Sequence, residues 1–305
     1  MSIIKFIAYV LRIALVFVFV SVFYTLGSSI MVGKLPAAEP EPGLVSDVTG
    51  LLIICLVETL TISALILTSR WSSRRLFLVL PLAYYGATAF MMQIETWYFL
   101  SDLTVGPNVL PLLFLMRIPL CFIAIPLAIL ILGKGKAQKE DAPTSALVMP
   151  VTQWIWKAAL IAVIYVILYW SAGYLIAWQN PELRAFYGAP GEIVPFWKHT
   201  LSTLQDGSNL FPFQLLRGLL WMLCTLPIIR GSKVNVWWTA LLVGMMLSFP
   251  QNIAHIIANP LIPIASVRLS HLVETASSTF VFGLLVTWLL HRQHNSFNDL
   301  FGLEA

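Results

Sequence analysis

Eight runs of apolar residues, each about 20 residues long, constrain this 305-residue chain more than any other feature. A helix needs about 20 mostly apolar residues to cross a hydrocarbon core. Inside lipid every backbone N–H and C=O must find its partner within the protein, so such runs fold as helices and not as open sheet. The pattern predicts spans over residues 6–30, 49–69, 76–99, 109–132, 152–178, 210–229, 235–257 and 268–290. Turn and charge chemistry separates them. The breaks are Lys34 to Asp47, Arg70 to Arg75, Ser101 to Asn108, Gly133 to Pro150, Arg230 to Lys233 and Asn259 to Arg268. A long hydrophilic stretch, Gln179 to Asn209, follows the fifth span. The expected fold is an all-α, polytopic bundle of eight transmembrane helices, a single transmembrane domain over 1–305, with an external interfacial loop over 179–209.

Composition agrees. The chain is 59% hydrophobic and 10% charged, with a mean hydropathy of +0.85, where globular chains are about 25% charged. That excludes a disordered chain, a disulfide scaffold and a cytosolic enzyme. The first run exceeds the apolar stretch of a signal peptide, and Gly27-Ser28-Ser29 makes a poor cleavage site, so it reads as a retained helix.

Basic residues orient the bundle. With both termini in the cytoplasm, the inner side holds Lys5, Arg12, Arg70, Arg74, Arg75, Lys134, Lys136, Lys139, Arg230, Lys233 and Arg292. The outer side holds only Lys34, Arg184, Lys198 and Arg268. The reverse orientation would invert the positive-inside rule. The basic pI thus records topology and needs no nucleic acid partner. Absence of eukaryotic sorting features places the chain in the cytoplasmic membrane of a bacterium, with membrane lipids as its partners. Cys55, Cys121 and Cys224 fall singly in three spans without CxxC spacing and read as apolar packing residues.

Ionisable residues within spans are costly, so each is a candidate site. Counted from the outer end, Glu58, Arg117, Arg217 and Glu274 lie about six to nine residues into their spans. Gln93, Glu95, Gln251, Asn252, His255 and His271 lie within a turn or two of that same end. All fall in the outer half of the core. Arg12 and Lys157, in the inner half, sit near helix ends where snorkelling accounts for them. His271, Glu274 and Ser278 share one helical stripe, and Gln251, Asn252 and His255 share another. The short connection between spans seven and eight makes these antiparallel neighbours with facing stripes. Gln93 and Glu95 point in nearly opposite directions, so one of them faces the bundle.

These groups suit several chemistries. His271 and Glu274 form the centre of an expected site, with His255 and either Glu58 or Glu95 in support. His255, His271 and Glu274 are nitrogen and oxygen ligands of the kind a divalent metal takes, and His-x-x-Glu sets two on one helical face. Without metal they would serve as a general acid–base pair. Arg117 and Arg217 would clamp a phosphate or carboxylate headgroup in forked geometry, and Asn252, Gln93 and Arg184 would contact substrate. A membrane enzyme acting on a lipid or lipid-linked substrate is the leading expectation. A proton-coupled transporter is the alternative, followed by a non-catalytic assembly or sensor subunit, or a haem held by His255 and His271. An ion-pair network that merely clamps the bundle would use the same residues.

A tripeptide recurs as Val57-Glu58-Thr59, Ile94-Glu95-Thr96 and Val273-Glu274-Thr275, too short to establish a repeat. The segment Trp178 to Gly188 combines Asn-Pro, an acidic first turn and a terminal glycine, the signals of a short helix. Its aromatics, with Phe196 and Trp197, suit the headgroup level. It reads as an interfacial anchor or as a lid, with Arg184 toward a lipid phosphate. No phosphate loop, dinucleotide fingerprint, nucleophile elbow or zinc ribbon occurs.

Overall fold

A computed structural model describes residues 3–36, 39–101, 103–137, 148–294, 296 and 298–301. Lys139 and much of the 133–150 connection lie outside the described residues. The chain is all-α. Its helices are α1 (Ile3–Ser29), α2 (Asp47–Thr68), α3 (Ser73–Leu100), α4 (Leu110–Ile131) and α5 (Val151–Gln179), then α6 (Pro181–Phe186) and α7 (Phe196–Gln205). Last come α8 (Leu210–Gly231), α9 (Val236–Asn252) and α10 (Ala265–Leu290).

Seven of these, α1 to α5, α8 and α10, are long and apolar enough to cross a membrane. The segment expected as the seventh span forms α9, a shorter helix of 17 residues continued by a 3-10 turn over Ile253–Ile256. Pro250 lies near the end of α9, just before that tighter turn. Pro81 and Pro227 do not break their helices, whereas the α-helical pattern of α4 lapses into a turn at Met116 and Arg117, just ahead of Pro119. α3 and α4 widen into π turns over Gly86–Phe90 and Leu120–Ala124, and α8 runs through Pro227.

Local chemistry sets several helix starts. Ser46 accepts the Thr49 N–H at the head of α2, and Asn235 accepts that of Trp238 at the head of α9. Asn180 does the same for α6 by accepting from Glu182, and Gly188 follows with φ of +78°. The helix signals after the fifth span are therefore realised as α6.

Antiparallel α9 and α10 form the most extensive helix pair. Gly244 and Gly283 allow it, since a Cβ on Gly283 would lie 2.6 Å from the Gly244 Cα. A Cβ on Gly27 would lie 1.9 Å from the Met116 carbonyl, so α1 seats on α4 just as closely. The buried apolar residues divide into a large cluster around Leu120, Trp221, Leu247 and Phe282, and a smaller one around Leu100, Leu183, Ile262 and Val267. The smaller cluster sits at the end of the bundle that carries α6 and α7.

The opposite end is knitted by backbone. Arg70 N–H donates to the Gly231 carbonyl at 2.7 Å, and Lys233 N–H to that of Thr68 at 2.9 Å. Lys157 corrects the snorkelling expectation. It is 0% exposed, and its ammonium donates to the Arg292 carbonyl at 2.8 Å. Arg268 is likewise no free loop cation. It is 1% exposed and donates to the carbonyls of Ile262, Pro263, Glu41 and Pro42, pinning the α1–α2 connection to the α9–α10 connection.

Candidate functional site

The polar residues expected to share one pocket divide into two groups. Glu58 belongs to the first. Its carboxylate, 0% exposed, is met by the Arg117 guanidinium and the Tyr84 hydroxyl. The Tyr24 ring covers Arg117, with 5.4 Å between the guanidinium carbon and the ring centroid. Helices α1 to α4 close over this network, and it lines no described cavity.

The second group surrounds a cavity of about 680 Å³ at the α6–α7 end. α3 contributes Glu95 and Thr96, α5 contributes Tyr169 to Trp178, and α10 contributes His271, Glu274 and Thr275. His255 reaches it from the turn after α9, and Tyr187, His199 and Asp206 reach it from the segment holding α6 and α7.

His271 occupies the centre of the polar wall. Its Nδ1 lies 3.4 Å from Glu274 Oε2, and its Nε2 lies 3.0 Å from the Tyr187 hydroxyl. A carboxylate only accepts, so Nδ1 carries the hydrogen toward Glu274, and Nε2 shares a hydrogen bond with the Tyr187 hydroxyl. Burial, with Glu95 and Glu274 adding to it, raises the Tyr187 hydroxyl above its ordinary pKa, so it remains a donor. Thr275 donates to the same Glu274 oxygen at 3.1 Å. Oε1 has no partner among the described residues and lies over Gly173. The His255 ring sits 6.2 Å from that of His271, and its buried Nδ1 has no hydrogen-bond partner among the described residues.

Glu95 faces the bundle interior. Arg217 grips it in a fork, with bonds of 2.7 and 2.6 Å, and takes a third bond of 2.9 Å to Gln214. Asn252 is fully buried and donates to the Ser248 carbonyl at 2.6 Å. Neither Gln93 nor Asn252 lines the cavity.

The two arginines expected as a headgroup clamp are paired within the protein. Arg117 and Arg217 already hold carboxylates, and neither faces the cavity. Arg184 is 8% exposed and donates to the carbonyls of Trp178 and Gly191 at 2.7 and 2.9 Å, stapling its own loop. The metal reading of His255, His271 and Glu274 also lacks geometric support. No three His, Cys, Asp or Glu side chains among the described residues could hold a metal ion. Both His271 nitrogens are engaged, by Glu274 and Tyr187.

Several cavity residues escaped the sequence reading. The His199 ring lies between those of Trp170 and Trp178, at 5.0 and 5.2 Å and within about 20° of parallel. The Trp170 indole N–H donates to Thr200 at 2.8 Å, tying α5 to α7. Burial lowers the His199 pKa, against a weaker upward pull from Asp206. Hydrogen bonds from Ser208 hold the Asp206 carboxyl below its ordinary pKa, so it stays charged. The helix α7 had one signal, its alternation of apolar and polar residues after Pro195, but its inner face becomes visible only when packed.

Beyond Tyr169 and Glu274 the bundle is filled. Tyr165 and Phe282 are buried edge to face at 5.0 Å, with Trp221 beside them at 0% exposure. Comparison with known proteins adds no assignment: no protein family, no curated protein and no solved structure matches this chain.

Proposed function

We propose that this polytopic helical protein is an enzyme of the cytoplasmic membrane, acting through the α6–α7 cavity on a lipid or lipid-linked substrate. In this reading α9 and its 3-10 turn complete eight crossings. The basic-residue asymmetry puts both termini in the cytoplasm and the cavity at the outer leaflet. Glu274 orients His271, and His271 Nε2, released as the Tyr187 hydroxyl turns to the substrate, takes a proton from an attacking hydroxyl or water and returns it to the leaving group. Tyr187 supplies a hydrogen bond at the same point, and Glu95, held by Arg217, fixes the facing wall. The apolar and aromatic lining accommodates the lipid portion.

The observation that carries this reading is the Glu274–His271–Tyr187 relay opening into a cavity of about 680 Å³. Its closure over Tyr165, Phe282 and Trp221 favours chemistry at one leaflet over passage across the membrane.

The test is reconstitution in liposomes of bacterial lipid extract, with the lipids followed by mass spectrometry. A new lipid product is expected, formed about 10²–10⁴-fold more slowly by His271→Ala. Product formation unaffected by His271→Ala would remove His271 from the chemistry. Proton flux without any lipid product would establish transport instead.

A further inference from the structure

The walls of the cavity have one sign of charge. They carry the carboxylates of Glu95, Glu274 and Asp206, and no lysine or arginine among the described residues. Arg217 balances Glu95 from behind, so Glu274 and Asp206 supply the excess negative charge. The two ring nitrogens of His271 are committed to Glu274 and Tyr187. A phosphate or carboxylate group would therefore find no counter-charge and would meet repulsion.

The rest of the lining has the opposite preference. Tyr98, Phe99, Tyr169, Trp170, Tyr174, Trp178 and Tyr187 set seven rings around the space. Ring faces are electron-rich and attract ammonium groups, more strongly where water is excluded. One polar atom of the wall is uncommitted: Glu274 Oε1 is bonded to no described residue.

We infer that the cavity binds the ammonium headgroup of an amphiphilic ligand, with Glu274 as its counter-ion and the aromatic rings as its cage. This rests on the cavity being the substrate site and names the class of substrate. The headgroup lies between Glu274 and the ring faces of Tyr169, Tyr174 and Tyr187. The ligand's chain follows the apolar wall of Met92, Leu100 and Leu103.

The test uses the full chain in maltoside micelles and three calorimetric titrations, with hexyltrimethylammonium, hexyl phosphate and hexyl glucoside. The ammonium probe is expected to bind about tenfold tighter than either of the others. Glu274→Gln should weaken it about tenfold while leaving the glucoside unchanged. Asp206→Asn, at an exposed position, should weaken the ammonium probe by a smaller factor and reduce its salt dependence. Equal or tighter binding of the phosphate or the glucoside would overturn the inference, as would the absence of ammonium binding by the wild type. Lipid turnover that still depends on His271, without ammonium binding, would retain the catalytic site and discard this headgroup class.

Discussion

Glu58 and Arg117 face one another where neither reaches water, and each is tolerated only because of the other. A lone charge left in that position costs far more than the pair contributes. Arg117→Met should therefore lower stability by about 3–5 kcal/mol. Adding Glu58→Gln should restore most of the loss, since a glutamine can still accept from Tyr84. Thermal unfolding in micelles measures both, and a double variant no more stable than the single one would show the pair to be uncoupled. The three Glu-Thr tripeptides gain meaning at this scale. Glu58 meets Arg117, Glu95 meets Arg217 and Glu274 meets His271, so each carboxylate has a basic partner. Thr59 satisfies the Cys55 carbonyl four residues back, as a threonine in an apolar helix is expected to do. Their residue types were legible from sequence. Their pairing was not, because a fraction of a turn in helix rotation decides whether Arg117 or His271 stands opposite a given carboxylate.

At the scale of elements, α7 is docked through its side chains, His199 and Thr200 among them. His199 fits between Trp170 and Trp178, while Trp197, Leu201 and Leu204 on the other side are exposed. That outer stripe suits an interfacial helix resting in the headgroup region. Burial lowers the His199 pKa from 6.5, so the docked helix binds protons less readily than the released one. Docking is then fully supported above the ordinary histidine value and weakens as pH falls through the lower docked value. Asp206, which remains charged, opposes this only in part. Deuterium uptake of residues 196–205 is expected to rise between pH 7 and pH 5, and His199→Phe, which keeps the stack, should flatten the change. An unchanged uptake profile in the wild type would mean that other contacts hold the helix. The sequence showed the aromatic residues of this region as headgroup anchors, yet two of them, Trp178 and Tyr187, face the cavity.

At the scale of the whole molecule, the orientation proposed from the charge asymmetry is open to direct labelling. Cys55 and Cys121 are buried and Cys224 is mostly so, which leaves little background for an impermeant maleimide. Gln205→Cys on α7 is expected to react in intact cells, and Lys233→Cys, in the α8–α9 turn, only after permeabilisation. The opposite pattern would reverse the topology and move the cavity to the inner leaflet.

The apolar runs determined on their own that the chain is helical and where most helices begin and end. Hydrocarbon length and backbone hydrogen bonding leave no other solution, and the expected boundaries fall within a few residues of the observed ones. Only the tertiary structure decided that Glu58 and Arg117 close a network apart from His271, and that Arg184 staples its own loop. It alone built the cavity from Tyr169, Tyr187 and His199, residues with no distinguishing spacing. Periodicity specifies a helix and its faces. Which face meets which neighbour depends on close approaches such as Gly244 against Gly283, and those exist only once the helices have packed.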